Sequence, residues 1–202
     1  MELYLVRHGE TVWNLEHKLQ GVRDIPLDDK GREQARALRR ENEAAGLTFD
    51  RVYASPLQRA VETACLITGR TREQLILDDR LVEMSFGSIE GTHYNFDDDP
   101  WDPALPANLH MFTHHPSKFV APPDGETFEQ VIDRAGRFLE DLKREADRAA
   151  DGRTENGAAR RVLIVSHGAL LHGLMFHLNR RTDLEQFWDP LLRHCRMLRF
   201  EI

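Results

Sequence analysis

"LYLVRHGETVWN", residues 3–14, carries an uninterrupted apolar run straight into an arginine, a histidine and a glycine. A run of this kind reads as a strand buried on both faces, as in a parallel sheet covered by helices, because an alternating pattern would leave one face in water. Two further segments repeat it: "FDRVYAS" at 49–55 and "RRVLIVS" at 160–166. Each is followed by a helix pattern. Residues 29–45 bring Ala35, Leu38 and Ala45 to one face. Residues 55–69 offer Ser55 as a cap, Pro56 in the first turn and Gly69 as a stop. Residues 168–178 follow the third strand. A short strand around 74–77, a short helix around 182–188 and a final strand at 196–202 complete the pattern. Repeated β-α units predict an α/β fold, a three-layer α/β/α sandwich with a mainly parallel central sheet. In such a sheet, active residues gather beyond the carboxyl ends of the strands.

The 202 residues predict one domain over 1–202, since one core organises a chain of this length. Acidic residues outnumber Lys and Arg 34 to 27, giving a net charge of -7. That argues against a broad basic face for nucleic acid, so an anionic ligand must be met locally. No basic leader precedes a long apolar region, and no run approaches the roughly 20 residues that span a bilayer, so a cytoplasmic protein without membrane contact is expected. Cys65 and Cys195 lack CxxC spacing and read as small hydrophobes. Residues 92–125, rich in proline, histidine and aspartate, break the β-α rhythm and read as a lid-like excursion over one end of the fold. Thr127 and Gln130 form a capping box for a helix whose apolar face runs through Phe128, Val131, Ile132, Ala135, Phe138, Leu139 and Leu142.

Polar residues collect at the predicted strand ends. Arg7 and His8 follow the first strand, Ser55 to Arg59 the second, and Ser166, His167 and Gly168 the third. Gly9 is expected to permit a close turn. Parallel strands bring these ends to one edge, so two arginines and two histidines are predicted to share a cleft. Arginine offers rigid donors to phosphate oxygens, and Arg59 sits in a first helical turn, where a cation is disfavoured unless an anion is its partner. Neutral imidazole is a nucleophile, which suits His8; His167 is predicted to contact the transferring group electrostatically. Within "DDRLVEMSFGSIEG", 78–91, Glu83 lies between apolar residues, where desolvation favours a carboxyl that gives a proton to a leaving oxygen and later takes one from water. Glu90 is the competitor for that role, although the glycine beside it reads as a turn.

Four ordered stretches, "LVRHGETVWN", "SPLQRAVETA", "LVEMSFGSIEG" and "VLIVSHGALL", resemble the signatures of the histidine phosphatase superfamily, the phosphoglycerate mutase-like family. The resemblance implies that His8 becomes phosphorylated, that Arg7, Arg59 and His167 form its phosphate pocket, and that Glu83 donates and accepts the proton. Asn14, Gln20 and Gly21 match supporting elements around the phosphate. The implied activity is that of a phosphoric monoester hydrolase of the histidine acid-phosphatase type, acting on a small metabolite phosphomonoester without metal or organic cofactor. A cofactor-dependent phosphoglycerate mutase would share the phosphohistidine step. Such mutases usually carry an arginine and a tyrosine after the glutamate, where this chain has Met84, Ser85 and Phe86. A non-catalytic phospho-ligand binding protein is the third reading, and it would not need both His8 and Glu83.

The excursion holds Tyr94, Phe96, Trp101, Phe112 and Phe119, either a substrate wall or pins that hold a loop down. His93, His110, His114 and His115 with Asp97, Asp98 and Asp99 match no compact zinc spacing, and no metal site is predicted. Three adjacent aspartates argue for a mostly uncharged leaving group. Lys18, Arg23 and Lys118 are possible additional phosphate contacts, and the helix faces specify no oligomeric state.

Overall fold

The computed structural model describes residues 1–93, 107–150 and 160–202, with 107–108 and 149–150 by backbone alone. Along the chain run β1 (Glu2–Arg7), α1 (Val12–Leu15), α2 (Asp29–Ala44), β2 (Arg51–Ala54), α3 (Gln58–Thr68), β3 (Ile76–Leu77), α4 (Ala107–His114), α5 (Phe128–Ala150), β4 (Arg161–Ser166), α6 (Gly168–Leu178) and β5 (Met197–Glu201). Among the described residues the strands form one sheet in the order β3-β2-β4-β1-β5. All neighbours are parallel except β5, which runs antiparallel along β1 at the edge.

The double-faced burial of β1 explains its unbroken apolar run. Leu3 and Leu5 point into one core with α5 and α6, while Tyr4 and Val6 point into the other with α2 and α3. In β4, Val162 and Ile164 join the first core, and Leu163 and Val165 the second. Helices therefore cover both faces, and the sheet is the middle layer of the predicted sandwich. The capping box of α5 is formed as expected: Gln130 Oε1 accepts from the Thr127 N–H at 2.8 Å, and the Gln130 N–H donates to Thr127 Oγ1 at 3.3 Å. Gly69 ends α3 in the left-handed region, φ 72°.

Several local expectations are corrected. Ser55 does not cap α3; Leu57 occupies the N-cap position without a side-chain bond. The helix expected at 182–188 is one 3-10 turn, Leu184–Gln186, capped by Asp183. Gly9 has no positive φ. It is needed because a Cβ there would lie 2.5 Å from the Gly31 carbonyl oxygen, where the β1 exit and the first turn of α2 touch backbone to backbone. Within the excursion, α4 packs Leu109 and Phe112 into the core, so this part is anchored rather than draped. Phe119 packs against Phe112 and Phe128, a pinning role. Tyr94, Phe96, Trp101 and Asp97 to Asp99 lie outside the described residues.

Candidate active site

The register of the sheet unites residues far apart in sequence. Arg7 pairs with Ser166 across β1 and β4, and Ala54 with Val165 across β2 and β4. The next residues, His8, Ser55 and His167, therefore leave three adjacent strands at the same edge. The His8 N–H still donates to the Ser166 carbonyl at 2.9 Å, and the Ser55 N–H to the Val165 carbonyl at 3.1 Å, which extends the ladder into the site. One cavity at this edge is lined by Arg7, His8, Asn14, Gln20, Gly21, Arg59 and Glu83. A larger depression, bordered by Glu2, Asp50 and Arg161, lies at the opposite, amino-terminal edge of the strands and holds none of these groups.

His8 is buried, and its Nδ1 lies 2.7 Å from the Gly9 carbonyl. A carbonyl only accepts, so Nδ1 carries the proton and Nε2 keeps its lone pair. Burial first, then the positive charge of Arg59, holds the His8 imidazole well below the ordinary histidine value. His194, from the segment before β5, donates Nδ1–H to the His8 carbonyl at 2.8 Å, and its ring lies 5.4 Å from that of His8, tilted by 52°.

Arg59 is fully buried. Its Nη1 and Nη2 donate to the carbonyls of Arg23 and Gly21 at 2.6 and 2.8 Å, and its Nε donates to His167 Nδ1 at 3.2 Å. Burial pulls the guanidinium down to about 10, still charged at neutral pH. Arg7 donates Nη1 to the Leu192 carbonyl at 2.9 Å, while its buried Nε finds no acceptor. Among the described residues, neither arginine forms an ion pair with a carboxylate.

His167, expected to contact the transferring group electrostatically, has both ring nitrogens engaged by protein partners. Since Arg59 Nε must donate, Nδ1 is the acceptor and Nε2–H donates to Ser55 Oγ at 2.8 Å. The ring centre lies 5.1 Å from that of His8. In this arrangement His167 orients Arg59, and Ser55, read from sequence as a helix cap, orients His167.

Glu83 lines the cavity. Its Oε1 accepts from the N–H groups of Met84 at 2.9 Å and Leu170 at 3.2 Å, and its Oε2 from Ala169 at 3.3 Å. The apolar sheath expected around it is replaced by amide donors at the amino terminus of α6. Glu83 and Arg7 flank Gly168, where a Cβ would lie 3.5 Å from Glu83 Oε2 and 3.7 Å from Arg7 Cζ. Glu90 is excluded from this cluster. Its buried carboxylate accepts from Val22 and Phe86 N–H groups and pairs with Arg23 at 3.4 Å, which makes it a loop staple. Asn14 and Gln20 line the cavity while serving Thr11: Asn14 Oδ1 closes the α1 capping box, and Gln20 Oε1 accepts from Thr11 Oγ1 at 3.0 Å.

Residues 3–202 match the family described as the histidine phosphatase superfamily, branch 1. The chain belongs to that superfamily. YhfR of Bacillus stearothermophilus is 33% identical, with a TM-score of 0.73 over 100% of this chain and 91% of that one. Phosphoserine phosphatase from Entamoeba histolytica, solved with 3-phosphoglyceric acid, is 27% identical, with a TM-score of 0.74 over 99% and 90% of the two chains. A 2,3-bisphosphoglycerate-dependent phosphoglycerate mutase of Mannheimia succiniciproducens is 29% identical over 210 residues, 92% of this chain and 88% of that one. Superfamily relatives thus carry both phosphatase and mutase names, and the choice between them falls to the site itself.

The far side of the cavity was not foreseen in full. His172, Trp188 and Leu191 line it together with Leu19, Phe86, Phe112 and Ala169. Phe112 was the foreseeable member, as an aromatic of the excursion. His172 Nδ1 lies 2.7 Å from the Gly168 carbonyl and Nε2 lies 3.1 Å from that of Pro190, with the ring lowered to about 4 by burial. Of the other cations near this edge, Lys18 reaches the cavity but pairs with Glu16 at 2.7 Å. Arg23 pairs with Glu90, and Lys118 does not line it. Among the described residues no group of three or more His, Cys, Asp or Glu is arranged to hold a metal ion, and no helix is long and apolar enough to cross a membrane.

Proposed function

We propose that the protein is a phosphomonoester hydrolase that works through a phosphohistidine at His8. The observation that carries this reading is the pair of charged guanidiniums, Arg7 and Arg59, which face one cavity without a carboxylate partner beside a histidine whose Nε2 lone pair is free. Buried cations are stable when paired, and a phosphate dianion is the partner this geometry suits. With the ester phosphate on the two guanidiniums, His8 Nε2 attacks phosphorus as the P–O bond to the alcohol breaks. Glu83 gives its proton to the departing oxygen. The Nδ1–H bond to Gly9 holds the phosphorylated ring in place. Water then attacks phosphorus as the P–N bond to His8 breaks, Glu83 takes the proton from that water, and inorganic phosphate leaves with His8 restored. The cations carry the charge that develops on the phosphoryl oxygens, so the reaction as proposed draws on no metal or organic cofactor.

Hydrolysis is favoured over mutase action by the alcohol side of the cavity. A phosphoglycerate that is to be rephosphorylated must be held by its second anionic group. The described lining there is Leu19, Phe86, Phe112, Ala169, Trp188 and Leu191 with His172, whose ring nitrogens lie against two carbonyls, and its one added cation, Lys18, is already paired. A small, mostly uncharged alcohol fits this wall. The low proton affinity of His8 keeps its free base in mildly acidic solution, which supports the acid-phosphatase type.

The test is phosphate release from alkyl and sugar phosphates, phosphoserine and phosphoglycerates, with phosphoglycerate isomerisation measured in parallel. Turnover with an acid-labile phosphoenzyme, lost in His8→Ala while ligand binding persists, is the expected result. Isomerisation exceeding hydrolysis overturns the hydrolase reading, and equal inactivity of the intact protein and the variant overturns catalysis altogether.

A further inference from the structure

The backbone that presents Glu83 is gripped by one side chain from a different element. Arg134 of α5 donates Nη1 to the carbonyls of Arg80 at 2.8 Å and Val82 at 2.7 Å, and Nη2 to the carbonyl of Glu83 itself at 3.4 Å. The other edge of the guanidinium is locked by Glu126, with Nε to Oε1 at 3.0 Å and Nη2 to Oε2 at 2.8 Å. Glu126 then holds the far side of the same loop. Its Oε2 accepts from the Ser85 N–H at 2.9 Å, and its own N–H donates to the Ser85 carbonyl at 2.8 Å. One ion pair therefore brackets Glu83 from residue 80 to residue 85.

This loop needs such a device. Past the 3-10 turn Asp79–Leu81 it belongs to no helix or strand, and its carbonyls have no ladder to join. The carboxylate end of Glu83 is fixed by the amino terminus of α6, while its main chain is fixed by α5 through Arg134. Arg134 lines no part of the cavity and is 13% exposed, so it has no direct route to a bound phosphate.

We propose that Arg134, locked by Glu126, is a positioning residue for the acid–base step, setting the distance between the Glu83 carboxyl and the ester oxygen. The inference rests on the hydrolase reading above. The planar fork is essential to it, because a lysine ammonium is a single point of donation and cannot serve three carbonyls and a carboxylate in one plane. A displacement of about 1 Å at an acid is enough to cost catalysis.

The discriminating measurement is the dependence on the leaving group. An alkyl phosphate needs a proton on its departing oxygen, whereas p-nitrophenyl phosphate expels a stable anion with little help. Pre-steady-state release of the alcohol, which isolates formation of the phosphoenzyme, is measured for both esters in the intact protein, Arg134→Lys, Glu126→Gln and, as the reference for a lost acid, Glu83→Gln. In Arg134→Lys the alkyl ester is expected to slow by about tenfold or more, within the range of lost general-acid catalysis, while the nitrophenyl ester slows by less than about threefold. Glu126→Gln is expected to show the same selectivity in smaller measure, and it carries the comparison if Arg134→Lys does not fold. Parallel losses on the two esters, or no loss on either, overturn the positioning role while Glu83→Gln still shows the selectivity. If the intact protein forms no phosphoenzyme, the hydrolase reading fails and the positioning role falls with it.

Discussion

Ser55→Ala tests the chain of hydrogen bonds behind the site. Ser55 is fully buried, and its Oγ accepts the His167 Nε2–H at 2.8 Å and the Leu57 N–H at 3.3 Å. Removing the oxygen leaves the His167 N–H facing the alanine methyl, a loss of about 1–3 kcal/mol for one buried unsatisfied donor, with the longer Leu57 contact adding less. For a protein of this size each kcal/mol is worth about 2–4 °C in melting temperature, so a fall of about 2–12 °C is expected. Activity should fall as well. His167 Nδ1 is the acceptor that aims Arg59, and an imidazole released at Nε2 is free to turn. Loss of one hydrogen bond to a charged group predicts a decrease in kcat/KM of about 10- to 100-fold. Urea unfolding, thermal melts and steady-state kinetics supply these quantities, and 15N shifts of the imidazoles report which nitrogen of His167 is protonated. A variant within about 0.5 kcal/mol of the parent with unchanged kcat/KM would refute the reasoning. So would finding the His167 proton on Nδ1 in the parent.

Three further outcomes follow from the same geometry. Burial lowers His172 to about 4 and His194 to about 3, so below the ordinary histidine value of about 6.5 the unfolded chain takes up protons that the folded one refuses. Their contribution is complete above that value and is lost as pH falls, by about 2 kcal/mol for each ring at pH 5; unfolding free energies equal at pH 7.5 and 5 would contradict the burial of these rings as neutral groups. For catalysis, His8 keeps its lone pair well below the ordinary histidine value, so the acid limb of kcat/KM should lie below that value, and an inflection at the free-histidine value would show that His8 is not the desolvated base. Finally, inorganic phosphate at a hundredfold excess over its Kd should stabilise the protein by about 2.7 kcal/mol, or about 5–11 °C, and Arg7→Met should abolish most of that shift while leaving the protein folded.

The central sheet was legible because burial on both faces leaves no polar alternation to confuse, and β1 and β4 each contribute residues to both cores. The strand-end residues were legible for a related reason: Arg7 and His8 break an apolar run where packing alone would have continued it. What escaped depended on distant partners. Ser55 has the sequence context of a cap, but its hydroxyl is taken by the histidine that follows β4, more than a hundred residues away. Glu83 and Glu90 have similar neighbours, and only the path of the loop shows that one faces the cavity while the other staples backbone amides. Helix α4 was hidden by prolines and histidines around it, although Leu109 and Phe112, three apart, carried its one apolar signal. Arg134 looks like any polar-face residue of an amphipathic helix until the carbonyls it serves are in view.

The two arginines and the histidines at this edge are costly by any rule of stability. Arg59 is fully buried with carbonyls and an imidazole for company, and Arg7 keeps one buried donor unanswered. Sequences violate packing rules of this kind where function demands it and recover the cost elsewhere. Here the recovery is visible in the scaffold: a ladder that continues past the strand ends into His8 and Ser55, a Gly9–Gly31 backbone contact at the turn, and the Arg134–Glu126 pair under the acid loop. These devices hold positive charge and a free imidazole lone pair in place before any substrate arrives, so little reorganisation is left for the reaction itself. The alcohol side is built by the opposite logic. Apolar side chains from separate segments meet there, and apolar contact discriminates between substrates far less sharply than a paired polar group would. On the hydrolase reading proposed above, a site held rigid at phosphorus and largely apolar at the alcohol suits hydrolysis, whereas a mutase must hold one intermediate by both ends.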